Sequence, residues 1–180
     1  MSSGNSAVKK IALLGAESTG KTALARSLAL RFQTIWVPDV ASEYIFDNRE
    51  GITAEEIVNI AQEQLAQEER MENGANTFLF VDTELIGSSV WCRDLFGKCP
   101  EWIEKKIATH RYDLYLLTAN DLPWSPDPTR GNSQRRDYFY NWYKRELEER
   151  RLPFEIITGR YEARLLSAIK ALKKHFGDFD

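Results

Sequence analysis

The residues on which metal clusters and disulfide scaffolds depend are nearly missing from this chain. Cysteine occurs twice, as Cys92 and Cys99, and histidine twice, as His110 and His175. They form no CxxC pair and no group with zinc-ligand spacing, so free thiols in a reducing compartment are the simplest reading. No apolar run approaches the roughly 20 residues of a membrane span. Met1 to Ala7 are small and polar, lack the apolar core of a signal peptide and are expected to form a flexible tail. The expected location is therefore the cytoplasm. An excess of positive charge is also absent: the formal net charge is −3, which argues against a dedicated nucleic-acid binder. There is no internal repeat, and no linker rich enough to divide the chain. What remains is an ordinary globular composition, 43% apolar and 28% charged, over 180 residues. That length suits one domain with a sizeable core, expected over residues 8–177.

Apolar runs and helical periodicities alternate along the chain. Val8 to Leu14 reads as a buried strand, and Leu24, Leu28 and Phe32 then recur at helical spacing. Thr34 to Val37 reads as a second strand closed by Pro38, and Asp39 to Asp47 as helical or irregular. Thr53-Ala-Glu-Glu56 is a capping box opening a helix to about Glu72, which Asn73-Gly74 stops. Thr77 to Val81 is a third strand ending at Asp82. Helices are expected over Leu85–Phe96 and Glu101–His110, and a fourth strand over Tyr112–Leu117. Asn120 to Asn132 is a loop rich in Pro, Asp and Gly. Ser133–Arg151 reads as a helix, Phe154–Ile157 as a fifth strand and Tyr161–Phe176 as a closing helix. Strands alternating with helices predict an α/β fold of three layers, a five-stranded parallel sheet with helices on both faces. In such sheets ligands bind beyond the carboxyl ends of the strands, so the residues after each strand are where chemistry is sought.

Gly15-Ala16-Glu17-Ser18-Thr19-Gly20-Lys21-Thr22 fits the phosphate-binding pattern G-x-x-x-x-G-K-[ST] between a strand and a helix. Glycines let the backbone curl until successive N–H groups point inward at phosphate oxygens. The helix that follows adds the partial positive charge of its N-terminus. Lys21 supplies a mobile cation for the outer phosphates, and the Thr22 hydroxyl is placed to ligate Mg²⁺. Asp82, an acid after a buried strand, suits the same metal, its alternative being a cap on the next helix. Glu84, two residues on, is a candidate for the same site. Asp39 and Glu43 follow the second strand and are candidates to accept the proton of an attacking hydroxyl, or else a helix cap and a solvated face. Arg130, Arg135 and Arg136 close a proline-rich loop. There they read as a lid whose arginines, Arg130 and Arg136 foremost, stabilise charge on a transferring phosphoryl group, or as a solvated basic face. Trp91, Trp124 and Tyr44 are candidates to stack on a flat ring, whereas Trp102 and Trp142 sit within the helical pattern. Gly159-Arg160-Tyr161, after the fifth strand, reads as a base-contacting loop or a tight turn.

Together, Lys10 to Thr22 with Glu17-Ser18 inside the loop, Val81-Asp82-Thr83-Glu84, Trp91-Cys92 to Phe96-Gly97, Trp124 with Arg130, and Ser133-Gln134 with Arg136 resemble the NadR-type ribosylnicotinamide kinase domain. The resemblance spans most of the chain. It implies a P-loop kinase fold, ATP and Mg²⁺ as cofactors, and phosphorylation of the 5′-hydroxyl of nicotinamide riboside to nicotinamide mononucleotide. Members often carry adenylyltransferase and DNA-binding domains. A chain of this length has no room for them, so it is expected to make the mononucleotide without completing NAD.

The expected function is thus an ATP-dependent small-molecule kinase acting on nicotinamide riboside or a similar nucleoside. The alternatives are a kinase for another metabolite, or a nucleotide-dependent switch with little turnover. Glu43, Tyr44, Glu84, Trp91 and Trp124 are the expected acceptor contacts, and Arg160 and Tyr161 the contacts to the base. GTP is the alternative donor, but Thr118-Ala119-Asn120-Asp121 does not match the Asn-Lys-x-Asp pattern that usually accompanies it. Neither nucleic acid nor membrane is an expected partner. The oligomeric state is not legible.

Overall fold

A computed structural model describes residues 7–47, 51–124 and 135–179, the side chains of 43 and 45–47 excepted. The strands are β1 (Lys9–Leu14), β2 (Trp36–Val37), β3 (Phe78–Asp82), β4 (Leu114–Thr118) and β5 (Phe154–Ile157). The helices are α1 (Lys21–Arg31), α2 (Val40–Asp47), α3 (Ala54–Glu72), α4 (Leu85–Phe96), α5 (Glu101–Thr109), α6 (Arg136–Glu149) and α7 (Glu162–Phe176). All strand pairs are parallel and the sheet order is β2-β3-β1-β4-β5. β1 therefore sits at the centre, with β3 and β4 beside it.

The three central strands are buried on both faces, which explains their unbroken apolar runs. Their side chains alternate between two cores. Ile11, Leu13, Phe78, Phe80, Leu114 and Leu116 pack with α1 and α7, while Ala12, Leu14, Leu79, Val81, Tyr115 and Leu117 pack with α3 to α6. The result is the three-layer parallel fold expected from the alternation. The second strand is only two residues long and pairs with β3 at one edge of the sheet. The ambiguous stretch after it forms α2. The expected start of α6 at Ser133, most of the lid loop, and residues 1–6 of the tail lie outside the described residues. Among the described residues, no helix is long and apolar enough to cross a membrane.

Helices α4, α5 and α6 are joined by a charge network. Arg93 donates to Ser89, Glu104 and Glu146, and Arg150 donates to Glu104 (2.8 Å) and Glu146 (3.1 Å). Partial burial pushes the Glu104 carboxyl up, but hydrogen bonds from Arg150, Arg93 and Ser89 together hold it down at about 2. A depressed carboxylate contributes stability above its ordinary value of 4.5 and loses it as pH falls toward about 2. Glu104→Gln should therefore lower the melting temperature at neutral pH and flatten the acid limb in that window. A thermal-melt series against pH checks this, and an unchanged acid limb would count against it.

Candidate active site

The loop after β1 lies at the middle of the carboxyl edge of the sheet. Gly15 has φ +155°, and a Cβ there would fall 2.1 Å from Thr118 Oγ1, so β4 leaves room only for a hydrogen. Thr19, fully buried, anchors the loop: its hydroxyl donates to Ala16 O (2.8 Å) and shares a hydrogen bond with Thr118 Oγ1 (2.7 Å). Ser18 and Gly20 both take positive φ, which turns the chain into α1. Lys21 Nζ donates to the carbonyls of Gly15 (2.9 Å) and Ala16 (3.0 Å). The ammonium thus lies over the cradle and within reach of anything the loop holds. Glu17 is exposed and lines the same site.

Thr22 Oγ1 donates to Asp82 Oδ2 at 2.5 Å, and Asp82 is buried at the end of β3. Pairing of β1 with β3 sets Leu13 beside Asp82 and so brings these two oxygens together. Among the described residues no group of three or more His, Cys, Asp or Glu could hold a metal ion. A cation here would rest on Thr22 and Asp82 and take its other ligands from phosphate and water. Mg²⁺ accepts such a set, and the hard oxygen donors fit it.

The cradle opens into a cleft of about 500 Å³ that Asp39, Ser42, Asp82, Trp91, Phe139 and Tyr143 also line. Asp39 faces it from the start of α2. Its carboxylate accepts from Ala41 N (3.0 Å) and Ser42 Oγ (2.6 Å), so it caps the helix as well as facing the cleft. Trp91 comes from α4. Phe139 and Tyr143 lie one turn apart on α6, and burial, with Glu17 and Glu84 nearby, pushes the Tyr143 phenol up.

Other sequence candidates lie elsewhere. Glu84 turns back to cap α4, accepting from Ile86 N at 2.8 Å. Burial pushes its carboxyl up to about 8, opposed by that hydrogen bond. Its Oε1 is buried with no hydrogen-bond partner among the described residues, beside a small cavity that Asp39, Gln64, Glu68 and Ser88 also line. The Tyr44 hydroxyl donates to Glu56 Oε1 (3.1 Å), and that hydrogen bond raises its pKa. Arg136 donates to Leu122 O (3.0 Å) and Ser18 O (3.4 Å), tying α6 to the phosphate loop. Trp124 has its indole N–H buried without a partner among the described residues, and it is not among the residues that line the cleft. Arg160 and Tyr161 are exposed on the turn before α7. Arg130 and the Glu43 side chain lie outside the described residues. Sequence reasoning missed Phe139 and Tyr143, whose i, i+4 spacing on an expected helix was the available signal. It also missed Asp121 and Arg164, which no local pattern marks.

With the geometry in view, three comparisons place the chain among known proteins. The family described as an AAA domain matches residues 10–164. The trifunctional NAD biosynthesis/regulator protein NadR of Escherichia coli (strain K12) is 27% identical over 178 residues, covering 95% of this chain and 43% of that protein. A crystal structure of NadR protein in complex with NR superposes with a TM-score of 0.80 at 22% identity, over 96% of this chain and 52% of that one. Thymidylate kinase from Ehrlichia chaffeensis superposes at 0.66 with 10% identity, over 94% and 99%. The chain thus spans about half the length, or less, of the two NadR proteins.

Proposed function

The chain belongs to the AAA domain family, and on that footing we propose that it is an ATP-dependent kinase for a nucleoside, with the 5′-hydroxyl of nicotinamide riboside as the preferred acceptor. The observation that carries this is the shape of the cleft. The cleft that contains the phosphate cradle extends beyond it to Asp39 and to Trp91, Phe139 and Tyr143, and this extension is read as the acceptor chamber. A nucleotide switch needs the cradle but no acceptor chamber. The similarity to NadR supports the riboside, as does a chamber walled by aromatic rings, since a flat base stacks on such faces.

In this reading the backbone N–H groups of Gly15 to Thr22 hold the outer phosphates of ATP, and Lys21 leaves its carbonyl partners to follow them. Thr22 and Asp82 hold Mg²⁺, which when bound neutralises charge on the phosphates. Asp39 orients the acceptor hydroxyl and takes its proton as the new bond forms. Trp91 and the α6 aromatics fix the plane of the base and so the distance of the hydroxyl from the phosphoryl group. Arg136 and Arg130 stabilise the charge that develops on the transferring group. The expected setting is the cytoplasm.

A coupled ATP-consumption assay over nicotinamide riboside, other nucleosides and unrelated metabolites tests the proposal. Nicotinamide riboside should be used with the highest kcat/KM. Turnover only on unrelated metabolites would remove the riboside assignment, and an ATP hydrolysis rate indifferent to every acceptor would remove the kinase.

A further inference from the structure

A second concentration of buried polar contacts lies on the opposite side of the cradle from Asp39. Arg164, on the first turn of α7, is 3% exposed. Its Nε donates to Gly159 O (2.9 Å), its Nη1 to Thr19 O (2.9 Å), and its Nη2 to Ala119 O (3.3 Å) and to the Asp121 carboxylate. The other oxygen of Asp121 accepts from Gly159 N at 2.6 Å. One ion pair thus joins three separate pieces of chain: the phosphate loop, the segment after β4 and the turn after β5. Gly159 leaves that turn no slack, for it takes φ +96° and a Cβ there would meet Ala163 Cβ at 2.9 Å.

Stability does not explain such a pair well. Arg164 is buried but the Asp121 side chain is 36% exposed, and an ion pair open to solvent on one side gives little net stabilisation. Fixed geometry is what it does give, and the geometry falls at a useful place. The acceptor chamber occupies the β2–β3 side of the cradle, with Asp39 and Asp82. A nucleotide whose phosphates sit in the cradle must then extend its base toward the exits of β4 and β5, and those are the segments joined here.

We propose that Asp121 and Arg164 are positioning residues for the donor nucleotide, locking the turn at 158–161 to the phosphate cradle so that base and phosphates are held in one geometry. The inference rests on the proposed function, taking the phosphates from the nucleotide reading and the direction of the base from the side given to the acceptor, and it does not depend on which acceptor is used. The two residues divide the task. Asp121 holds the base-side turn through Gly159 N, while Arg164 also holds the phosphate loop through Thr19 O.

Binding of Mg·ATP and of Mg·tripolyphosphate, which lacks a base, separates the two, measured by titration calorimetry on the full chain. Asp121→Asn places an amide N–H₂ against either the guanidinium or the Gly159 N–H. It should weaken ATP about 10-fold, the scale of a lost hydrogen bond to a charged group, and leave tripolyphosphate unchanged. Arg164→Lys keeps the charge but loses the fork, and should weaken both ligands. In steady state Asp121→Asn should raise KM for ATP and leave the acceptor KM alone. Asp121 is partly exposed, so its variant is the safer one to fold, and a thermal melt verifies this. Equal loss of both ligands in Asp121→Asn, or loss of neither, overturns the positioning role while leaving the nucleotide reading intact. Failure of the parent chain to bind ATP at all overturns that reading, and this proposal with it.

Discussion

Lys21→Ala is expected to lower turnover at least ~100-fold, the scale of a lost electrostatic contact to a transferring group, while the fold survives. The ammonium donates to Gly15 O and Ala16 O, and it holds no core position. Ala16 O still accepts from Thr19 Oγ1 when the side chain is removed. What is lost is the cation that follows charge from the bridging oxygen to the departing diphosphate. Because that charge is greatest in the transition state, kcat should fall more than ATP affinity. Single-turnover rates and a thermal melt on the same preparation check both halves. Near-normal turnover would mean that residues 15–22 do not hold the reacting phosphates.

The second large effect is expected at Gly15, for a reason that the motif alone does not give. A Cβ here would sit 2.1 Å from Thr118 Oγ1, 3.1 Å from Thr118 O and 3.2 Å from Thr19 Oγ1. Thr118 cannot retreat: it ends a central strand, is fully buried, and its hydroxyl is engaged with Thr19 (2.7 Å) and Leu14 O (3.3 Å). In Gly15→Ala the phosphate loop must therefore move instead. Overpacking of this kind costs about 1–3 kcal/mol, which for a chain of this size is a fall of several degrees in melting temperature. A shift of about 1 Å in the cradle is enough to cost roughly 100-fold in rate. Removing the obstructing hydroxyl should give part of this back, so Gly15→Ala/Thr118→Ala should melt higher than Gly15→Ala alone. If the double variant is the less stable of the two, the contact with Thr118 is not what excludes a side chain.

How far the sequence was legible follows from which facts are local. The phosphate loop was readable because strand, glycines, lysine and helix are contiguous, and the parallel sheet because apolar runs of β1, β3 and β4 are separated by helical periods. Asp82 was readable as the residue ending a buried strand. The edge strand was over-extended because Thr34 and Ile35 have strand propensity but find no ladder partner beyond the two-residue pairing of Trp36 and Val37. Glu84 shows the limit of adjacency as a guide. Two residues from Asp82, its carboxylate is engaged in capping α4, after a chain turn at Thr83, which takes positive φ. Arg164 and Asp121 were illegible for a different reason. They are 43 residues apart and meet only because the sheet order sets β4 beside β5, a fact of topology that no spacing in the sequence carries.

If the phosphoryl group passes from ATP to a hydroxyl held beside Asp39, the stoichiometry of a single reaction must show it. Phosphorus NMR on a mixture of the chain, Mg·ATP and nicotinamide riboside reports ADP, inorganic phosphate and any riboside monophosphate together. The account predicts ADP and a riboside 5′-monophosphate in equal amounts, with inorganic phosphate rising only slowly. ADP matched by inorganic phosphate, with no monophosphate from any nucleoside, would contradict it.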